Sequence, residues 1–191
     1  MSALAAMPSA DKMRKEYYDP RLLPELAHDA HIFFSRPTLA MCPEETASSI
    51  ALLDATERDR YHRFIFDKDR AHFLSAHVLV RMALSRYLDV PPAEWKFSAN
   101  KYGRPEIARE IDAPPLRFNL SHTNGLVACI VAYDVDCGID AEEIRPFPSH
   151  HSVARQMFSQ EECEWLAAAP ADLQYDAFFC YWTLKEAYIK A

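Results

Sequence analysis

The stretch "CGIDAEEIRP", residues 137–146, ends an apolar, strand-like run with Asp140, Glu142 and Glu143 inside four positions. Like charges so close repel, and burying any of them without a counter-ion is costly. If the strand runs on through Asp140 and Glu142, side chains two apart share one face. Two hard carboxylates on one face suit Mg²⁺, which takes one or two carboxylates and completes its shell with phosphate and water. Taken alone, the stretch reads more plainly as a solvated acidic turn.

Other residues with chemical potential follow. In "YWTLKEAYIK", residues 181–190, Trp182, Glu186 and Lys190 share one helical face at i, i+4 and i+8. An ordinary surface Glu-to-Lys pair beside a core tryptophan is the simpler account, yet Glu186 could add a third oxygen and Lys190 could meet a phosphate. In "FNLSHTNG", residues 118–125, Ser121 and His122 stand at a strand end, where a histidine can donate to an anion. A Ser–His nucleophile pair is a poor reading, because adjacent strand residues point to opposite faces. The Gly-Arg-Pro turn in "NKYGRPEI" presents Lys101 and Arg104, and a basic run holds Arg58, Arg60, Arg63, Lys68 and Arg70. Most of that run reads as a solvated helix face, with one or two side chains free for phosphate. His150-His151 makes a poor metal pair, since neighbouring helical residues diverge by roughly a hundred degrees.

The elements that must position these residues are legible in outline. "AHIFFSRP" (30–37) reads as a short strand. Residues 43–87 have helical spacing with a break near Asp67, where Asp67 or Asp69 could cap a second helix. Phe73, Ala76, Val80, Ala83, Leu84 and Tyr87 form its apolar stripe. Residues 94–107 read as a short strand and turn. Residues 116–140 read as two strands about an Asn124-Gly125 hairpin, with a third strand leading into Gly138-Ile139-Asp140. Ser159 and Glu162 have capping-box spacing, and the last segment is a helix. A weak echo between the segments starting at Arg63 and Arg155, each with a phenylalanine and a cap before a long helix, hints at two similar halves.

Composition narrows the possibilities. With 191 residues, half of them hydrophobic, the chain can bury one large core or two small ones. A net charge of −7 argues against nucleic acid as a partner. The three glycines, Gly103, Gly125 and Gly138, are too few for a GxGxxG fingerprint or a Walker A loop. The five cysteines are scattered with no CxxC pair, which fits reduced thiols in a cytoplasmic protein. No run has signal-peptide or membrane-spanning character. Residues 1–28 read as a loosely packed leader.

The order YGRP, FNLSH, GID-x-E, capped helix, W-x-x-KEAYIK resembles the 4'-phosphopantetheinyl transferases, in particular the pseudo-dimeric surfactin-synthetase type. The resemblance spans about Arg58 to Lys190, with its specific motifs between Tyr102 and Lys190. It implies an α+β fold of two similar halves, each a small antiparallel-rich sheet packed on a long helix, with coenzyme A between them. The halves would be 29–115 and 116–191, the second carrying the Mg²⁺ site and cut short at its C-terminal end, since members continue past this helix. The implied activity moves the phosphopantetheine arm of coenzyme A to a serine of an acyl or peptidyl carrier protein, an acidic partner. Asp140, Glu142 and Glu186 would hold Mg²⁺. Glu186 would also serve as base, Lys190 would neutralise the diphosphate and His122 would contact the 3'-phosphate. Ser121 and Arg104 would lie near the nucleotide, with Arg60 and Arg63 as further phosphate contacts. Members often carry lysine where Arg104 stands, which keeps the charge but alters the contact. A monomer suffices in this type. The alternatives are a non-catalytic relative that binds carrier protein or coenzyme A, and a different Mg²⁺-dependent phosphotransferase or phosphohydrolase.

Overall fold

The structure is a computed structural model that describes residues 18–191. Of the expected leader, residues 1–17 lie outside the described residues. Residues 18–28 are not loose: Leu22–Glu25 forms a one-turn helix, α1, and Leu26 is buried in the main core.

Strand β1 (His31–Ser35) is followed by helices α2 (Pro43–Ala51), α3 (Ala55–Arg63) and α4 (Asp67–Leu84). The helical stretch thus breaks twice. Asp54 ends the first gap as an N-cap, its carboxylate accepting from Glu57 N–H at 2.8 Å while Glu57 returns a bond to Asp54 N–H. Cys42 caps α2 the same way with Glu45. The second break falls at Phe64–Phe66, and α4 starts from Phe66 without a side-chain cap, so neither Asp67 nor Asp69 is its N-cap. Both aspartates lie in its first turn, where negative charge favours the helix dipole. A 3-10 turn (Pro92–Glu94) precedes the hairpin β2 (Phe97–Ala99) and β3 (Pro105–Ile107). Strands β4 (Leu116–Thr123) and β5 (Leu126–Tyr133) meet at Asn124-Gly125, where Gly125 has φ +75° as the tight turn demands.

The main sheet is antiparallel in the order β1-β5-β4. Helix α4 lies across it, and the helix with the turn after it brings Val80, Ala83, Leu84 and Tyr87 against Phe118, Cys129 and Val131. Four of the six expected stripe residues therefore face this core, while Phe73 packs in a separate cluster with Leu53, Tyr61 and Leu74. After β5 no third strand forms. The chain is extended, then helical: α5 (His150–Met157), α6 (Gln160–Ala168) and α7 (Gln174–Lys190). Ser159 caps α6 through the expected box with Glu162. These helices build a second core of Ala154, Phe158, Leu166, Phe178 and Phe179.

The class is mixed α+β, as expected. The sheet, however, is shared across the boundary drawn at residue 115, because β1 pairs with β5. The helical core begins after β5. The two echoing segments differ in detail: Ser159 starts a nine-residue helix, and the long α7 begins only at Gln174. All five cysteines are free. Among the described residues no helix is long and apolar enough to cross a membrane.

Candidate active site

Strand β4 alternates. Phe118 and Leu120 pack towards α4, which leaves Asn119 and Ser121 on the opposite face, both buried. That face receives the segment after β5. Asn119 Oδ1 accepts from Ile139 N–H at 3.0 Å, and Ser121 Oγ accepts from Ala141 N–H at 3.2 Å. Side chains of β4 thus take the backbone N–H groups of Ile139 and Ala141, and the segment forms no ladder with β4.

The same segment crosses the last turn of α7 at Gly138. A Cβ there would lie 1.8 Å from Ala187 O and 2.9 Å from Ala187 C, so only glycine lets the two backbones approach this closely. Two residues on, Asp140 reaches α7. Its Oδ1 takes Lys190 Nζ at 2.5 Å and the Ser121 hydroxyl at 3.0 Å, while Lys190 Nζ also donates to Ser121 Oγ at 3.2 Å. Ser121 is then fully used, with one donor and two accepted bonds. Asp140 is not: its side chain is 7% exposed, and Oδ2 is buried with no partner. An unpartnered buried carboxylate oxygen is costly unless a cation or donor meets it.

Asp140 lines a cavity of about 380 Å³ together with Ser121, His122, Glu142, Trp182, Glu186 and Lys190. The structure therefore brings together seven residues singled out in the sequence from three separated segments. Among the described residues no three of His, Cys, Asp or Glu converge into a ready-made metal cage. The donor set suits a hard cation that borrows oxygens from a phosphorylated ligand. Glu143 points away and accepts from exposed Asn124 Nδ2 at 3.4 Å. His122 is exposed, with the His72 ring 5.9 Å from its own. His72 itself lies within hydrogen-bond distance of Thr123 O and Gly125 N, which ties α4 to the turn behind His122.

The remaining candidates lie apart. Arg60 stacks over Phe73 at 5.3 Å, and Arg63 bonds the Asp59 carbonyl at 3.4 Å; neither lines the cavity. Arg70 reaches Phe64 O and Asp67, and Lys101 lies over Tyr102. Arg104 also stands outside the cavity, its guanidinium turned onto main-chain carbonyls. The rings of His150 and His151 lie together at the start of α5, with His150 Nδ1 bonded to Phe147 O, and they make no contact with the cavity. Two contributors escaped the sequence reading. Asn119 anchors the acidic segment, and its place two residues before Ser121 was the available signal. Glu57 was read only as part of a helix, but its carboxylate binds His77 Nδ1 at 2.8 Å and Arg81 Nη2 at 2.6 Å, fixing α3 to α4.

The chain is also similar to known proteins. Residues 40–134 match the family model described as 4'-phosphopantetheinyl transferase, N-terminal, and residues 136–191 match that of the 4'-phosphopantetheinyl transferase superfamily. The two matches meet just after β5. The chain is 34% identical over 172 residues to the 4'-phosphopantetheinyl transferase HetI of Nostoc sp., covering 90% of this chain and 72% of that protein. It is 34% identical over 160 residues to the 4'-phosphopantetheinyl transferase ffp of Bacillus subtilis and 32% identical over 160 residues to Sfp of the same species, covering 83% of this chain and 67% of each relative. The chain belongs to the 4'-phosphopantetheinyl transferase family.

Proposed function

We propose that this chain transfers the 4'-phosphopantetheine arm of coenzyme A to a serine of an acyl or peptidyl carrier protein, with Mg²⁺ as the metal, through the cavity between β4, the Asp140 segment and α7. The observation that carries this reading is the buried, unpartnered Oδ2 of Asp140, a residue that lines one cavity with Glu142, Glu186 and Lys190.

Asp140, Glu142 and Glu186 would hold the cation together with the donor's diphosphate. When bound, it neutralises charge on the diphosphate and stabilises the leaving phosphate. Lys190 supplies a further positive charge beside it. His122, exposed at the rim, would donate to the 3'-phosphate. Ser121 positions Asp140 and Lys190 and lies on the nucleotide side. Glu186 would take the proton of the acceptor hydroxyl. The serine oxygen then forms a bond to the pantetheine-bearing phosphorus while the bond from that phosphorus to the oxygen bridging the diphosphate breaks, and adenosine 3',5'-bisphosphate leaves. Arg60 and Arg63 could reach a long ligand only at its far end. The chain would act as a monomer in the cytoplasm, on an acidic carrier.

The test is the intact mass of apo carrier proteins after incubation with this chain, coenzyme A and Mg²⁺. One added phosphopantetheine per carrier, with an equal amount of bisphosphate, is expected, and chelation of the cation should abolish both. Coenzyme A binding without transfer to any carrier would favour a non-catalytic relative. Bisphosphate release without carrier would mark a hydrolase.

A further inference from the structure

Arg104 sits in a built turn. Asn100 Oδ1 accepts from Tyr102 N–H at 2.9 Å and Arg104 N–H at 3.1 Å, Asn100 N–H donates to Arg104 O at 2.9 Å, and Gly103 takes φ +81°. From that turn the guanidinium reaches three other segments. Nη1 donates to Lys190 O at 2.6 Å and Ala191 O at 3.0 Å, at the end of α7. Nη2 donates to Phe118 O on β4 at 3.0 Å and to Cys137 O, beside Gly138, at 2.8 Å. Four of its five N–H donors are thus spent on carbonyls, and only Nε–H remains for anything else.

These carbonyls matter. The three segments joined are those that carry Ser121, Asp140 and Lys190. Gly138 permits their close approach, but a glycine supplies no attraction of its own.

We propose that Arg104 is a positioning residue: it clamps the end of α7 and the Cys137–Asp140 segment onto β4, and so sets the Lys190–Asp140–Ser121 contacts, instead of binding the donor's phosphates. This rests on the transferase reading for its kinetic consequence but not for its structural one. The planar fork is the feature that serves two carbonyls from each Nη, and a lysine ammonium cannot span them.

The test uses Arg104→Met and Arg104→Lys in the full chain, with two readouts. The first is transfer kinetics. Both variants should lose kcat, on the order of a hundredfold for methionine as for a misplaced reacting group, with KM for coenzyme A nearly unchanged and no rescue by lysine. A raised KM with kcat kept, restored by lysine, would overturn the proposal. The second is amide hydrogen exchange, which needs no activity. Residues 137–141 and the last turn of α7 should exchange faster in both variants, while the β4–β5 ladder is unchanged. Unaltered exchange in those two segments would overturn the clamp even if the wild type transferred nothing. Should Arg104→Met fail to fold, Arg104→Lys carries both readouts.

Discussion

Asp140→Ala and Glu186→Gln should each lower transfer by roughly a thousandfold, the scale of a lost catalytic proton acceptor or charge-stabilising group, while circular dichroism and melting temperature stay close to wild type. Asp140 lines the cavity and carries a buried, unpartnered Oδ2, so the substitution removes the carboxylate that a cation there would meet. The alanine leaves Lys190 with Ser121 Oγ, and that ammonium is 32% exposed and can return to water. Glu186→Gln keeps shape and removes only the charge and the proton-accepting capacity. Gly138→Ala should silence the enzyme by another route. Its methyl group would collide with the backbone of α7, and relief requires moving the helix that carries Glu186 and Lys190. Normal rates in both carboxylate variants, measured by carrier mass, would remove the site from the reaction.

Glu57→Ala should cost about 3–5 kcal/mol in urea unfolding, the usual penalty for leaving one member of a buried pair uncompensated. The partner it would strand is Arg81, 0% exposed, 2.6 Å from Glu57 and stacked over Phe97 at 4.9 Å. Arg81 would keep only the neutral His77 carbonyl, 3.2 Å from Nη1, as a hydrogen-bond partner, its Nε already having none. Glu57 also closes the capping box of α3. Burial opposes its ionisation, but the hydrogen bond from His77 and the charge of Arg81 overcome this and hold it at about 2, against an ordinary 4.5. The folded-state value is the lower one, so between the two the unfolded chain binds more protons and stability rises with pH. The contribution, about 3 kcal/mol, is present in full above 4.5 and is lost as pH falls towards 2. Acid titration of the unfolding midpoint should show this slope in the wild type and lose most of it in Glu57→Ala. An equal slope in both would contradict the assignment.

What the sequence disclosed, and what it hid, follows from the range of the interactions involved. Ser159 with Glu162, and Asn124-Gly125, act within a few residues, and both form as read. The convergence of Ser121, Asp140, Glu186 and Lys190 was legible through the order of motifs, since no local rule brings residues so far apart into one cavity. The extended run into Asp140 looked like a strand, but its donors go to Asn119 and Ser121 side chains, a choice made by tertiary packing. Arg104 was legible as a cation but not as a clamp, because its partners are backbone carbonyls that carry no sequence signature. Arg60 and Arg63 had the right charge, but the helix that bears them turns them to Phe73 and Asp59. Glu57, read as an ordinary helical residue, proved to join two helices through partners 20 and 24 positions away.

The central claim is that Asp140, Glu142 and Glu186 surround one divalent cation beside coenzyme A. Anomalous scattering from crystals grown with Mn²⁺ and coenzyme A tests it most directly. One strong peak bonded to Asp140 Oδ2 is expected, in contact with the diphosphate and absent from Asp140→Ala crystals. A peak elsewhere on the chain, or coenzyme A bound with Asp140 Oδ2 still facing no cation, would contradict it.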